Sequence, residues 1–411
     1  MSTRLAMIDD IAALVAGQAR ELAGQLTLHR QKAHPPAASK EFRRLAPLEV
    51  ARLLGVVESR LRQIAGDHGI GELLNSRRSY TLDDLDALRR AFAAGARTPE
   101  RYLPVRRPGD PVQIIATMNF KGGSAKTTTC AHLAQYLALR GFRVLAVDLD
   151  PQASLSALFG VHSVMDVEEG DTIYGAIRLD DGHKGVRRPL RDIIRRTYMP
   201  GLDLVPGGLE VMEFEHEAPR AMASGKRGDA AAIFDVLSEA FASVSDAYDV
   251  IVVDCPPQLG YITLAGLVAA TSVLITVHPQ MLDVMSMSEF LSMLSDLMGV
   301  ILGALPPGAR PRYHWLRYLI TRFEPHDGPQ MQMASFLRSL FGHFVLQNPT
   351  LKSTAVSDAG LTNQTIYEVE RGQFTRATYD RAIESVDAVN REIEELILAT
   401  WGRIQHKQEA L

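Results

Sequence analysis

A short glycine-rich turn is the feature that most constrains the fold of this 411-residue chain. It reads Asn119-Phe-Lys-Gly-Gly-Ser-Ala-Lys-Thr-Thr-Thr129, and it lies between an apolar run from Val112 and an amphipathic run that ends at Arg140. This order predicts a strand, a turn and a helix. Such a turn directs several backbone N–H groups and a helix N-terminus towards one point, which suits a phosphate chain. The pattern further predicts that Lys126 contacts the β- and γ-phosphates and that the Thr127 hydroxyl ligates Mg²⁺.

The turn departs from the common P-loop pattern G-x-x-x-x-G-K-[ST], because Phe120 and Ala125 occupy the two glycine positions. It fits the variant K-G-G-x-x-K-[ST], which opens on a second lysine, Lys121. This variant resembles the deviant Walker A box of the ParA/MinD ATPases. The loop residues that would hold ATP by this resemblance are Lys121, Gly122, Gly123, Ser124, Ala125, Lys126, Thr127 and Thr128.

The same resemblance gives Lys121 a role between subunits. In the family this lysine reaches the nucleotide of the other subunit in a homodimer, so that bound ATP stabilises the dimer and hydrolysis releases it. Ala125 stands where the family usually has glycine. We therefore expect a negative φ at Ala125, and a positive φ would count against the loop assignment.

Two apolar runs that end in aspartate follow the loop. One run, 143–149, leads into Asp148-Leu-Asp-Pro-Gln152, and the other ends at Asp254. Ligands of open α/β sheets bind at the carboxyl ends of strands, where these acids fall. They argue against the alternative, which is an ordinary Gly-Gly turn with two solvated lysines.

The family resemblance also assigns roles to these acids. Asp254 resembles the Walker B aspartate that holds Mg²⁺, Asp148 would support the metal shell, and Asp150 would position or activate the attacking water. A strand-end acid that caps the next helix remains the alternative for Asp148. The catalytic residues implied are thus Lys121, Lys126 and Asp150, the metal ligands implied are Thr127, Asp148 and Asp254, and the cofactors are ATP and Mg²⁺.

From residue 112 onwards, short apolar runs alternate with amphipathic ones. This pattern predicts an α/β fold of the P-loop NTPase type, with a mostly parallel sheet and helices on both faces. Further strands are predicted at 272–277 and 316–321, and a long C-terminal helix at 379–401. Helices are predicted near 228–246, 261–270, 283–300 and 328–342, whereas 161–201 give too few cues for assignment.

The first part of the chain has a different pattern. Residues 1–30 carry one apolar stripe at helical spacing, which could pair with a copy of itself or pack on the next domain. Residues 31–96 predict a small, mainly helical winged helix-turn-helix domain that resembles the MerR type. Residues 97–111 are the predicted linker, and 112–411 form the ParA-type ATPase domain with its C-terminal helix.

The helix-turn-helix prediction rests on a helix from Pro47, a turn at Gly55 and a second helix over 58–64. Guanidinium and amide groups on a recognition helix can match base edges or phosphates. The candidate DNA contacts of this domain are Arg60, Arg62 and Gln63 on the second helix and Arg77 and Arg78 on the wing. A small helical domain with a solvated basic face is the alternative.

Charge supports a nucleic-acid contact near the N-terminus. Residues 1–110 hold 18 Lys and Arg against 13 Asp and Glu, and the rest of the chain holds 26 against 35. A basic N-terminal part on an otherwise acidic chain favours a nucleic-acid contact over the alternative, in which these arginines are simply solvated. The two cysteines, Cys130 and Cys255, form no disulfide or metal-binding pattern, which favours a reducing compartment. No signal peptide and no uninterrupted apolar run of membrane-spanning length is found.

A closer resemblance covers almost the full length. The stretches 318–322, 348–360 and 378–382 resemble the large plasmid ParA proteins, specifically the RepA partition ATPases of RepABC replicons. That likeness implies binding to operator and bulk double-stranded DNA, a centromere-binding ParB/RepB-like partner, autorepression, and a nucleoid-associated protein of the bacterial cytoplasm. The candidates for bulk-DNA contact are Lys352, Arg322 and Arg338.

Three rival functions follow from the same residues. A MinD-like membrane ATPase would need an apolar C-terminal helix, and residues 402–411 are too polar for that. A reductase iron protein would need cluster-ligating cysteines. A transcriptional repressor that only senses nucleotide would show no ATP turnover stimulated by DNA and a partner.

Overall fold

The computed structural model describes residues 10–33, 40–74, 77–119, 121–179, 186–223, 229–306, 308 and 310–404. The chain divides into two compact units, residues 1–41 and 42–411. The described residues of the first unit contain one helix, α1 (Ile11–Ala33), whose apolar side chains Ile11, Val15 and Leu22 are exposed. The predicted helical stretch 1–30 is thus helical from Ile11, and its first nine residues lie outside the described residues. The same holds for two other parts of the chain named above, Phe120 of the loop and the polar end 405–411.

The second unit opens with a small mainly helical part, residues 42–94, which we call the head. It consists of α2 (Pro47–Leu54), α3 (Glu58–Asp67), the antiparallel hairpin β1 (Glu72–Leu74) and β2 (Arg77–Ser79), and α4 (Leu82–Ala94). Gly55 ends α2 in the left-handed region at φ 63°, and its N–H donates to carbonyls of the last turn, as a glycine C-cap does. Thr81 caps α4 and exchanges hydrogen bonds with Asp84. The order of elements is the one predicted, and DNA binding by the head stays a prediction.

A seven-stranded sheet forms the centre of the described part of the chain. Its strands are β3 (Gln113–Met118), β4 (Val144–Asp148), β5 (Arg195–Arg196), β6 (Leu202–Val205), β7 (Val250–Asp254), β8 (Ser272–Val277) and β9 (Trp315–Ile320). They lie in the order β5-β6-β4-β7-β3-β8-β9, and β5 is the antiparallel edge strand. Every residue of β3, β4, β7 and β8 is buried, because helices cover both faces. The predicted fold class is confirmed.

Helices pack on both faces of this sheet, and each face has its own apolar core. In chain order they are α5 (Lys126–Arg140), α6 (Ser154–Leu158), α7 (Ser163–Asp166), α8 (Ile173–Ile177), α9 (Leu190–Ile193), α10 (Met212–Ala223), α11 (Asp229–Ala242), α12 (Tyr261–Ala269), α13 (Met281–Ala304), α14 (Gly328–Phe341), α15 (Thr354–Leu361) and α16 (Arg376–Thr400). On one face, α5, α15 and α16 share a core with the head, and on the other α8 and α10 to α14 pack together. The unassigned segment 161–201 holds α7, α8, α9 and β5, each too short to show a periodicity.

Hydrogen bonds join the head to α5 in both directions. Arg140, the last residue of α5, donates to the carbonyl of Leu53 at 2.7 Å and pairs with Glu394 of α16 at 3.1 Å. In return, Arg89 of α4 donates to the carbonyl of Leu139 near the end of α5. The Arg89 guanidinium is buried and has no ion-pair partner among the described residues; burial lowers its pKa to about 9, and the charges of Asp86 and Glu394 act in the opposite direction.

One described helix, α13, is long and apolar enough to cross a membrane by length and composition. The search for an uninterrupted apolar run missed it, because Asp283, Glu289 and Asp296 divide it. A buried core helix passes the same test, but only 17% of its 18-residue apolar window is buried. Several large side chains of this helix are therefore exposed, among them Met281, Leu282, Met285, Met293 and Val300.

Candidate active site

The glycine-rich loop connects β3 to α5 at the carboxyl edge of the sheet. Gly123 has φ 78°, Ala125 has φ 65°, and α5 begins directly afterwards at Lys126. The expectation of a negative φ at Ala125 is therefore wrong, and so is the criterion that a positive φ counts against the loop, because a position where glycine is usual commonly has a positive φ. The chain must turn sharply from the loop into the helix, and this position adopts the left-handed region although an alanine there costs roughly 1–2 kcal/mol. The backbone at position 125 therefore has the left-handed conformation that glycine favours, although the residue is alanine.

Side chains from three neighbouring strand ends hold this loop. Asn119 donates to the carbonyl of Thr276 and accepts from the N–H of Lys121 at 2.8 Å. The Thr276 hydroxyl donates to the Ser124 hydroxyl at 3.1 Å. After β9, the Thr321 hydroxyl donates to the carbonyl of Ser124 at 3.0 Å. Three of these four contacts join residues far apart in the chain, and the sequence pattern indicates none of the three.

Lys126 lies inside the loop. Its side chain is buried, and its Nζ donates to the carbonyl of Lys121 at 3.4 Å. Burial lowers the pKa of Lys126, while the nearby carboxylates of Asp254 and Asp150 act in the opposite direction. A buried ammonium that faces loop amides is suited to bind a phosphate chain.

Lys121 points to a partner within its own chain. Its Nζ forms an ion pair with Asp283 in the first turn of α13, and Asp283 also lies 3.2 Å from Nδ1 of His278. We call the Lys121–Asp283 contact the internal ion pair. The Lys121 side chain is 46% exposed, whereas that of Asp283 is 8% exposed. Burial lowers the pKa of His278, and the charges of Arg322 and Lys121 lower it further.

A cavity of about 250 Å³ opens beside the loop. It is lined by Asn119, Lys121, Gly122, Gly123, Ser124, His278, Gln280, Asp283 and Arg322. Arg322, one of the candidates for bulk-DNA contact, lies at this cavity, and its Nη1 donates to the carbonyl of Gly123 at 3.1 Å. A DNA contact by this residue stays a prediction. His278 and Gln280, which follow β8, also line this cavity.

The two acids at the ends of β4 and β7 lie side by side. Asp148 and Asp254 are register partners in the parallel sheet, and both are fully buried. Burial raises the pKa of Asp254 to about 8, the charge of Asp148 adds to this effect, and a hydrogen bond from the Thr127 hydroxyl opposes it. Its Oδ2 is buried without a hydrogen-bond partner in the described part of the chain. An unpartnered buried carboxylate oxygen beside a threonine hydroxyl fits a magnesium site.

The described residues contain no cluster of three or more His, Cys, Asp or Glu that could hold a metal ion by themselves. Mg²⁺ does not need one, because it is usually bound through one or two protein ligands together with water and substrate phosphates. Thr127 and Asp254 therefore suffice as the protein's share of such a site.

Asp148 is engaged differently. Its carboxylate accepts from the N–H of Asp150 at 3.1 Å, from the N–H of Ser156 at 2.9 Å and from the Ser156 hydroxyl at 2.7 Å. Burial raises the pKa of Asp148 to about 6, against the effect of these hydrogen bonds. The contacts with α6 correspond to the helix-capping alternative, and a role in the metal shell stays a prediction. Asp150 is half-buried, and its Oδ1 accepts from the N–H of Gln152 at 2.9 Å.

The candidate DNA contacts fall into two groups. In the head, Arg60 and Gln63 are exposed and hydrogen-bonded to each other at 2.8 Å, while Arg62 pairs with Glu58 one turn earlier. Arg77 and Arg78 lie on β2, as expected for a wing.

The second group lies in the sheet-containing part. Lys352 pairs with Glu324 at 2.9 Å, and Arg338 donates to the carbonyl of Gln347 at 3.1 Å. Their surface positions are compatible with DNA contact, which stays a prediction.

Comparisons with known proteins agree with this geometry. A family model described as an AAA domain matches residues 112–300. The chain is 54% identical over 396 residues to a protein named putative replication protein A from Rhizobium rhizogenes, with 96% of each chain covered. It is 50% identical to a putative replication protein A from Sinorhizobium fredii, with 95% of each chain covered. It is also 25% identical to the chromosome partitioning protein ParA of Caulobacter vibrioides, over 61% of this chain and 84% of that one.

Solved structures show the same fold. A structure described as a partition protein superposes with a TM-score of 0.62 at 17% identity, and the match covers 92% of this chain and 98% of the other. The ATP complex of Cyanothece McdA with the substitution D38A superposes with a TM-score of 0.54 at 18% identity, over 73% of this chain and 100% of the other.

Proposed function

This chain belongs to the ParA family of partition ATPases, and on that premise we propose that it is an ATP-dependent plasmid-partition ATPase of the RepA type. It dimerises on ATP, binds operator and non-specific DNA, and hydrolyses ATP weakly until a centromere-binding ParB/RepB-like protein stimulates it. It represses its own operon and acts in the bacterial cytoplasm, associated with the nucleoid.

The observation that carries the proposal is the arrangement around the loop. Lys126 is buried at the start of α5 beside the glycine-rich loop, and Asp254 presents a buried oxygen without a partner among the described residues. Thr127 and Asp254 would hold Mg²⁺, whose charge would neutralise the phosphates as the bond to the terminal phosphate breaks. Lys126 and the amides bind and orient the phosphate chain, and Asp150 orients the attacking water. Such positioning and charge neutralisation are most of what phosphoryl transfer requires.

The internal ion pair supplies a physical basis for the nucleotide switch. In the single chain Lys121 pairs with Asp283, so it must break this ion pair before it can contact another subunit. In the ATP dimer, Lys121 exchanges this carboxylate for the phosphates of the partner's nucleotide. ADP lacks the terminal phosphate, so hydrolysis shifts the balance back to the internal ion pair and to separate chains.

The test is to determine the mass of the protein in solution with and without Mg-ATP. We expect the wild type to dimerise on ATP, and Lys121→Ala to keep measurable ATP binding but stay monomeric. Arg371→Ala is a charge-matched control, because Arg371 is an exposed residue paired with Asp380 and far from the loop in sequence. A normal ATP dimer of Lys121→Ala would contradict the switch, and a wild type that binds no ATP would contradict the function.

Two rival functions are separated by added ligands. Repeating the mass measurement with added DNA and following phosphate release distinguishes a partition ATPase from a passive repressor. The repressor would bind operator DNA, but DNA would not stimulate its ATP turnover.

The exposed apolar side chains of α13 make a membrane test worthwhile. Co-sedimentation with anionic liposomes in Mg-ATP would favour a MinD-like function, and we expect the protein to stay in the supernatant.

A further inference from the structure

Thr321 and Arg322, the two residues that follow β9, donate hydrogen bonds to two adjacent peptide carbonyls of the loop. The Thr321 hydroxyl donates to the carbonyl of Ser124 at 3.0 Å, and Nη1 of Arg322 donates to the carbonyl of Gly123 at 3.1 Å. Thr321 is fully buried, so its hydroxyl is committed to this contact. Arg322 forms no ion pair with any described residue, so its contact with the loop has no competing carboxylate.

The two carbonyls determine where the next N–H groups point. In a planar trans peptide the C=O of one residue and the N–H of the following residue point in opposite directions. The bond to Gly123 therefore fixes the N–H of Ser124, and the bond to Ser124 fixes the N–H of Ala125. Both N–H groups are directed away from Thr321 and Arg322. They belong to the loop segment that would hold the phosphate chain.

The backbone is shaped to allow this double contact. Adjacent side chains of a strand point to opposite sides, so an extended chain could not aim both Thr321 and Arg322 at the loop. Arg322 leaves the strand conformation and adopts φ 53°. This left-handed region is uncommon for a residue with a side chain, and it persists where the surroundings hold it. Four described residues other than glycine have a positive φ, and Ala125 and Arg322 are the two that meet at this loop.

We propose that Thr321 and Arg322 are positioning residues that orient the Ser124 and Ala125 N–H groups for nucleotide phosphates before the nucleotide arrives. The proposal rests on the proposed ATPase function and assigns Arg322 to the nucleotide site instead of a DNA surface. N–H groups that already point towards the phosphates bind them without any rearrangement of the loop. Loss of the Thr321 or the Arg322 hydrogen bond therefore weakens binding of the phosphate chain. ATP and ADP lose affinity by the same factor, because both carry the phosphates that these N–H groups would bind.

The experiment compares Arg322→Gln, Arg322→Lys and Thr321→Val with the wild type and with Arg191→Gln as a control. Arg191 is an exposed arginine that also donates to a backbone carbonyl, that of Ser243, but outside the loop. We expect Arg322→Gln to weaken Mg-ATP and Mg-ADP equally by about five- to tenfold, as for loss of one charged hydrogen bond at a partly solvated site, with partial recovery in Arg322→Lys. Thr321→Val should weaken both nucleotides by about three- to tenfold, because its hydroxyl is neutral but buried.

Three further readouts separate this role from others. KM for ATP should rise by the same factors while kcat stays within about twofold, since the transferred phosphate is not contacted. The melting temperature of nucleotide-free Arg322→Gln should match that of the control, whereas a purely structural residue would lower it and leave affinity unchanged. Non-specific DNA binding should be equal in Arg322→Gln and wild type.

The outcomes are distinct. Unchanged nucleotide affinity in both Arg322→Gln and Thr321→Val would overturn the proposal, and so would a loss confined to ATP, which would indicate direct contact with the terminal phosphate. Loss of DNA binding with intact nucleotide affinity would return Arg322 to the DNA surface. If Thr321→Val does not fold, Arg322→Gln alone decides. A wild type that binds neither nucleotide would refute the ATPase function itself.

Discussion

Replacing Asp283 by asparagine should make the ATP dimer tighter. The substitution keeps the shape of the side chain and removes the charge that holds Lys121 within its own chain. The lysine then reaches the partner's phosphates without first breaking an ion pair. The expected direction is unusual, since most substitutions beside an active site weaken assembly.

The magnitude follows from the exposure of the pair. Lys121 is 46% exposed and Asp283 is 8% exposed, so solvent screens the interaction from one side. A half-screened pair of this kind contributes roughly 1 kcal/mol. A symmetric dimer opens two such pairs, which gives roughly 2 kcal/mol and about a 30-fold lower dissociation constant.

Sedimentation velocity over a concentration series in Mg-ATP measures that constant. Asp296→Asn is the matched control, because Asp296 is exposed on the same helix and its charge change is identical. The nucleotide-free melting temperature of both variants should also be compared, since Asp283 contacts His278 as well. A dimer constant that is unchanged or weaker in Asp283→Asn, with normal folding, would refute the reasoning.

Three further outcomes are expected. Ala125→Gly should raise the free energy of unfolding of the nucleotide-free protein by up to about 1 kcal/mol and thus raise its urea midpoint. The reason is that relief of roughly 1–2 kcal/mol of left-handed strain exceeds the stabilisation of the unfolded chain by the added glycine. A lower midpoint would show that Ala125 is not strained. Burial lowers the pKa of His132 below its usual 6.5, and the neutral ring donates to the carbonyl of Thr128 and accepts from the N–H of Ile366. The unfolded chain therefore binds more protons, so stability should fall as pH drops below 6.5 and fall less in His132→Asn, as urea titrations at several pH values would show. Combined Arg60→Ala and Arg62→Ala should abolish operator binding in a gel-shift assay with ATP turnover intact, and surviving operator binding would mean that α3 does not read DNA.

The sheet and the loop could be predicted because their signals are local. Strands buried on both faces appear as continuous apolar runs, and β4 and β7 end in aspartates that mark the carboxyl edge. The start and end of α2 were readable from Pro47 and Gly55, since proline favours a helix start and glycine a left-handed end. That these helices form a winged helix-turn-helix domain stays a prediction.

The contacts that tune the site could not be predicted, because they join distant residues. Nothing near Lys121 indicates that its partner is Asp283, and nothing near Ser124 indicates Thr321. Arg322 became a candidate for bulk-DNA contact by resemblance to relatives, and its contact with the carbonyl of Gly123 could not be predicted because the two residues lie far apart in the chain. The left-handed φ of Ala125 was missed because residue type alone favours a negative value, and the fold overrides that preference.

The hydrogen bonds between the head and α5 have a thermodynamic consequence. α5 has 15 residues and is thus a rod of ~22 Å that starts at the glycine-rich loop and ends beneath α2 and α4. If the loop binds nucleotide and the head binds operator DNA as proposed, any effect of nucleotide on operator affinity has an equal reciprocal effect of operator DNA on nucleotide affinity. In that case the amount of free operator in the cell would influence how readily each chain takes up ATP.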